Sequence, residues 1–163
     1  MSQVIHEPSV LEWPGEPVET LHRVNGITLH DVQLGASDAP LVILLHGFAD
    51  FWWGWRRQVD DLAAAGFRVV APDQRGYNLS EKPIGLRSYD LDTLAADIVA
   101  LAQAYGRERF HLIGHDFGGL IAWWTASRYP DRSSGWWRST RSTPKSSFPT
   151  SASTPARCCE AST

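Results

Sequence analysis

The chain has 163 residues, 43% hydrophobic and 20% charged, with 15 Lys and Arg against 18 Asp and Glu and a formal net charge of −3. That length supports a buried core, and the mild acidity gives no electrostatic footprint for nucleic acid. Cys158 and Cys159 form neither a metal pattern nor a disulfide framework. Met1 to Val10 lacks the basic and apolar parts of a secretory signal, and no run is long enough to span a membrane, so a cytoplasmic location without membrane association is expected.

Paired strand-like stretches come first, Val18 to Val24 and Ile27 to Leu34, joined by Asn25-Gly26, a dipeptide that favours a two-residue hairpin turn. Leu41 to Leu45 is a continuous apolar run, the pattern of a buried parallel strand, and it ends in the tight loop His46, Gly47, Phe48, Ala49. A helix is expected over 55–65, a strand over 68–72, and then a polar loop, Asp73 to Tyr77. Leu91, Leu94, Ala95, Ile98, Leu101, Ala102 and Tyr105 recur at helical spacing after Asp90, so 90–105 reads as an amphipathic helix packed on the sheet. On that helix Asp92 and Asp97 read as a solvated face. A strand over 110–115 and a helix over 117–128 complete an α/β pattern, a mostly parallel sheet with helices on both faces.

Between those last two elements stand Gly114, His115, Asp116, Phe117, Gly118 and Gly119. Small residues two before and two after Asp116 allow strand and helix to meet at a sharp turn, a nucleophile elbow that lifts the central side chain into the open above the strand ends. A carboxylate there is already ionised near neutral pH. It can displace a leaving group from saturated carbon, giving an alkyl ester of the enzyme that water then hydrolyses with the help of a histidine base. The backbone N–H groups of Phe48 and Phe117 are placed to form an oxyanion hole for that second step.

Three segments carry a family resemblance: HGFADFWWGWRRQ from His46, PDQRGYNLSEKP from Pro72 and GHDFGG from Gly114. In this order, over about Val18 to Arg132, they resemble the α/β-hydrolase superfamily, with the closest likeness to its epoxide hydrolase and haloalkane dehalogenase branch. The resemblance implies the N-terminal half of that fold, no cofactor, and a small-molecule substrate, an epoxide or an alkyl halide. It also implies that His46, Gly47, Gly114, His115, Gly118 and Gly119 are structural parts of the motifs, and that Trp52 and Trp53 line the substrate cavity. Halide-releasing relatives use side-chain N–H donors, commonly a tryptophan after the nucleophile and often an asparagine in the first loop. Phe48 and Phe117 offer none, which favours epoxide hydrolysis. The first motif usually has proline where this chain has Ala49, so a less rigid loop is expected.

His46 and His115 read as packing or hydrogen-bonding groups rather than as the base, and Arg75 as a residue that ties its loop together. The family's catalytic acid, base histidine and lid lie on later sequence. After Arg132 the composition changes: the 31 residues from Ser133 contain no Leu, Ile, Val or Met, and 14 of them are Ser or Thr. Residues 1–132 hold 11 Lys and Arg against 17 Asp and Glu, the tail 4 against 1. The boundary is therefore set at 132, with 133–163 a low-complexity, irregular tail and the strand over 110–115 an open edge. Trp136-Trp137 must be encoded TGGTGG, and a one-base shift of frame reads it as aliphatic, so a frameshifted, truncated hydrolase that is inactive alone is the expectation. A non-catalytic fragment or interaction module is the other reading, and oligomeric state is left open.

Overall fold

The structure, a computed structural model, describes residues 17 to 139. Six strands form one sheet: β1 (Val18–Val24), β2 (Ile27–Leu34), β3 (Leu41–Leu45), β4 (Arg68–Pro72), β5 (Phe110–His115) and β6 (Ser133–Ser139), in spatial order β1-β2-β4-β3-β5-β6. The helices are α1 (Arg56–Ala64), α2 (Leu91–Ala104) and α3 (Phe117–Arg128), with short 3-10 turns at Trp52–Trp55 and Leu86–Tyr89. β1 and β2 form an antiparallel hairpin, and β2 runs antiparallel to β4. From β4 across β3 and β5 to β6 every pair is parallel.

The hairpin turn follows from its residues. Asn25 (φ 44°) and Gly26 (φ 80°) both take left-handed angles, which a type I′ turn requires and which Asn and Gly tolerate best. In β3 all five residues are buried, as a strand covered on both faces must be, and the pleat sends alternate residues to different cores. Leu41, Ile43 and Leu45 pack with Leu94, Ile98, Leu101 and Ile121 of α2 and α3. Val42 and Leu44 pack on the other face with Trp55, Val59 and Leu62 at the α1 side. Asp90 caps α2 by accepting from the Thr93 N–H at 2.7 Å.

Two expectations are corrected. The irregular tail does not begin at Ser133: Ser133–Ser139 is a strand, paired in parallel with β5, so β5 is an interior strand. The bare edge of β5 offers unpaired N–H and C=O groups, and a chain returning from α3 lies naturally beside it. Backbone pairing of this kind needs no aliphatic side chains, so a count of Leu, Ile, Val and Met could not reveal it. The rest of the expected tail, 140–163, lies outside the described residues, as does Met1 to Val10. The second correction concerns Asp97, which is not solvated but 2% exposed. The Arg75 guanidinium grips it at both oxygens, each at 2.7 Å, and Asn25 Nδ2 donates to it at 2.7 Å. Arg75 thus ties its loop to α2 and, through the Asn25 carbonyl at 3.2 Å, to the hairpin turn.

Candidate active site

Strand β5 and helix α3 meet at Asp116, whose backbone sits at φ 50° and ψ −118°, a conformation non-glycine residues rarely adopt. The neighbouring glycines make it possible. A Cβ on Gly114 would lie 2.3 Å from the Gly118 carbonyl oxygen, and one on Gly118 would lie 2.3 Å from that of Leu45. Only bare backbone lets β5, α3 and the end of β3 approach this closely. The turn leaves Asp116 exposed.

The loop after β3 closes over the same carboxylate. Phe48 N–H donates to Asp116 Oδ1 at 3.0 Å. A Cβ on Gly47 would lie 2.9 Å from Asp116 Cβ, so this residue too must be glycine for the loop to reach. The Phe48 amide, then the Phe117 amide, hold the Asp116 carboxyl below the usual carboxylate range, with the charge of His115 adding to them. An ionised, exposed carboxylate held by one amide of the loop after β3 and one at the start of α3 is the chemical content of the site. Ala49 has φ 58°, a value closed to proline, whose ring fixes φ near about −65°. The replacement of proline is therefore tied to a different loop conformation, not only to lower stiffness.

Phe48 and Phe117 also line an open cavity of about 500 Å³ together with Gln74, Arg75, Gly76, Tyr77, Tyr89 and Leu94. The sequence reading singled out Trp52 and Trp53, and the structure puts neither in this lining. Trp52 is half-buried against the α1-side core, and Trp53 is exposed beneath the Arg56 guanidinium, 5.3 Å from its ring centre. Tyr77 and Tyr89 were missed. Tyr77 lies within the motif from Pro72, a signal that could have found it. Burial, with Asp116 adding, raises its phenol above the ordinary value, so the hydroxyl stays protonated near neutral pH.

His46 is almost wholly buried, with both ring nitrogens engaged: Nδ1 lies 2.9 Å from the Gly47 carbonyl oxygen, and Nε2 accepts the Gln74 N–H at 3.0 Å. Burial pushes its pKa down. A neutral imidazole fixed at both nitrogens is a loop anchor, not a base. His115 is half-buried beside Asp116. The histidines that face carboxylates among the described residues lie on the hairpin strands: His30 Nδ1 with Asp73 Oδ2 at 2.7 Å, His30 Nε2 with Glu19 at 3.5 Å, and His22 Nε2 with Asp31 at 3.5 Å. No helix among the described residues is long and apolar enough to cross a membrane.

Comparison with known proteins agrees with this geometry. Residues 40–137 match the family model described as the alpha/beta hydrolase fold. The AB hydrolase superfamily protein YfhM of Bacillus subtilis is 54% identical over 107 residues, which cover 66% of this chain and 37% of that protein. Epoxide hydrolase A of Mycobacterium tuberculosis is 43% identical over 118 residues, covering 72% of this chain and 37% of its own length. The crystal structure of epoxide hydrolase A from Mycobacterium thermoresistibile superposes with a TM-score of 0.74 at 41% identity, covering 76% of this chain and 39% of the other. The chain thus spans well under half the length of the relatives it matches. It belongs to the α/β-hydrolase family, and its relatives include epoxide hydrolases.

Proposed function

We propose that Asp116 is the nucleophile of an epoxide hydrolase-type reaction, in which its carboxylate attacks a ring carbon and forms an ester with the enzyme. The observation that carries this reading is the exposed carboxylate on a strained turn, held by the Phe48 amide at 3.0 Å and by the Phe117 amide. As the carboxylate oxygen bonds to carbon, the ring C–O bond breaks and the departing alkoxide takes a proton from solvent water, which the open site admits. In the second step water attacks the ester carbonyl, and the two amides already aimed at this group stabilise the oxyanion. The cavity beside Phe48 and Phe117 accommodates the apolar part of such a substrate. Its lining offers no indole or side-chain amide at positions 48 and 117 to hold a departing halide, which favours an epoxide over an alkyl halide.

Ester hydrolysis needs a base; His46 is excluded by its two engaged nitrogens, His115 reads as a packing group beside the turn, and the resemblance puts the base histidine on later sequence. The reading therefore predicts that this chain alone stops at the ester. Incubated with styrene oxide and analysed by intact-mass and peptide mass spectrometry, the chain is expected to gain the full mass of one epoxide at Asp116. Asp116→Asn is expected to gain none there. Labelling that ignores Asp116, or none in a folded chain, would refute the proposal.

A further inference from the structure

We propose that Asp73 and Gln74, consecutive residues just past the end of β4, clamp the segment from His46 to Trp52 at both ends and so position the Phe48 amide against Asp116. The clamp has two jaws. At the entry, Gln74 donates its backbone N–H to His46 Nε2 at 3.0 Å and its side-chain Nε2 to the His46 carbonyl oxygen at 2.6 Å. At the exit, Asp73 Oδ1 accepts the Trp52 N–H at 3.1 Å.

Asp73 is itself held firmly. It is fully buried, its Oδ2 lies 2.7 Å from His30 Nδ1 and accepts from Asn78 Nδ2 at 2.8 Å, and its carbonyl oxygen accepts the Ser80 hydroxyl. His30 is likewise buried and belongs to β2, so the exit jaw is fastened to the sheet two strands away from β3. A buried carboxylate with both oxygens engaged, as that of Asp73 is, rigidifies what it touches.

Between the jaws lie only Gly47, Phe48, Ala49, Asp50 and Phe51. Ala49 takes φ 58°, and Phe48 donates to Asp116 at 3.0 Å. A five-residue bridge with a left-handed alanine at its middle has no regular ladder of its own to fix it. The two fixed ends do that instead. Asp73 and Gln74 touch neither the carboxylate nor any reacting atom in this arrangement, so they are positioning residues. The cavity lining shared by Gln74 and Phe48 places the clamp directly behind the site.

This inference rests on the reading of Asp116 and Phe48 given above, but its test needs no substrate, so failure of the adduct and failure of the clamp are separable. The sharpest variant is Trp52→Pro, which deletes the N–H of this segment that Asp73 Oδ1 accepts. Trp52 opens a short helix, where proline fits, and Phe51 before it is extended at φ −153° and ψ −178°, as a residue preceding proline must be. Trp52→Ala removes the indole and keeps the N–H.

In the full chain, hydrogen exchange of the Phe48 amide is expected to accelerate roughly tenfold or more in Trp52→Pro, the loss of a hydrogen bond to a charged group being large enough for this. Phe117, on α3, is expected to stay unchanged. The Asp116 carboxyl, followed by carbon NMR, is expected to titrate closer to the ordinary aspartate value. Trp52→Ala is expected to keep both readouts near those of the parent. If Trp52→Pro does not fold, Gln74→Met removes the side-chain bond of the other jaw while keeping its backbone N–H to His46, and a smaller selective change at Phe48 is expected. A folded Trp52→Pro or Gln74→Met chain in which Phe48 and Asp116 behave as in the parent would overturn the proposal.

Discussion

Two regions of this molecule use aspartate in opposite ways. At the rim of the sheet Asp116 is exposed, its partners are backbone amides, and its pKa is pulled down. Beneath the β1–β2 hairpin, Asp31 and Asp97 are buried, and their partners are side chains: Tyr105 for the first, Arg75 and Asn25 for the second. Burial raises the Asp31 carboxyl to about 7 against the opposing pull of Tyr105, His30 and Arg68, with Asp73 adding to the rise. The difference teaches that an exposed carboxylate at a turn is supported by backbone groups that no side-chain substitution removes, whereas a buried carboxylate depends on side chains that a substitution can remove.

The largest effect is expected at Asp97. Asp97→Ala strands the Arg75 guanidinium, which is 6% exposed, and leaves Asn25 without its side-chain partner. Breaking a buried pair by removing one member costs about 3–5 kcal/mol, because the other charge stays buried. Urea denaturation of the parent and the variant measures this. A loss below about 1 kcal/mol would mean that the pair behaves like a surface ion pair and that the two regions are not distinct in the way described.

These cases also show where the sequence could be read and where it could not. The strands from β1 to β5, the Asn25-Gly26 turn and the turn at Asp116 are local features, each written in periodicity or in small residues at fixed spacing. The pairing of Arg75 with Asp97 joins residues 22 apart from a loop and a helix, and Asp97 shares its helix with Asp92, a truly exposed acid. No periodicity distinguishes the two, since the guanidinium arrives from outside the helix. Strand β6 was hidden for another reason: its pairing is a property of the β5 backbone edge, not of its own composition. At the site, the glycines were legible as motif positions and Tyr77 was within reach through the motif from Pro72, whereas Tyr89 enters the cavity lining from the short turn Leu86–Tyr89, which no spacing ties to the site.

A smaller effect, visible only as a pH dependence, is expected at Asp31. Its folded pKa, about 7, lies above the unfolded aspartate value, so the folded state holds the proton more tightly. The stability this contributes is complete below about pH 4 and is lost as pH rises through about 7. His22, which faces Asp31 at 3.5 Å and whose pKa is lowered by burial, works the other way: its contribution is present above the ordinary histidine value and is lost as pH falls. Asp31→Asn keeps an acceptor for the Tyr105 hydroxyl and abolishes the Asp31 titration. Stability measured from about pH 4 to pH 8 is expected to shift in favour of the variant by on the order of a few kcal/mol across that window. Parallel profiles for parent and variant would mean that water reaches Asp31 and that the hairpin does not seal it.

The smallest effect is expected at Asp116 itself, and with the opposite sign. Its φ of 50° and ψ of −118° strain any residue with a side chain, and glycine relieves that strain. Against the relief stand the lost bonds from the Phe48 and Phe117 amides, which water replaces at an exposed position, and the greater freedom of glycine in the unfolded chain. Asp116→Gly is therefore expected to raise the melting temperature slightly, by roughly 2–4 °C, while abolishing labelling by epoxide at this position. Asp116→Asn, which keeps the strain and a hydrogen-bond acceptor, is expected to melt close to the parent. A clear fall in melting temperature for Asp116→Gly would show that the amide contacts outweigh the strain, placing Asp116 with Asp31 and Asp97 among the carboxylates that hold the fold together.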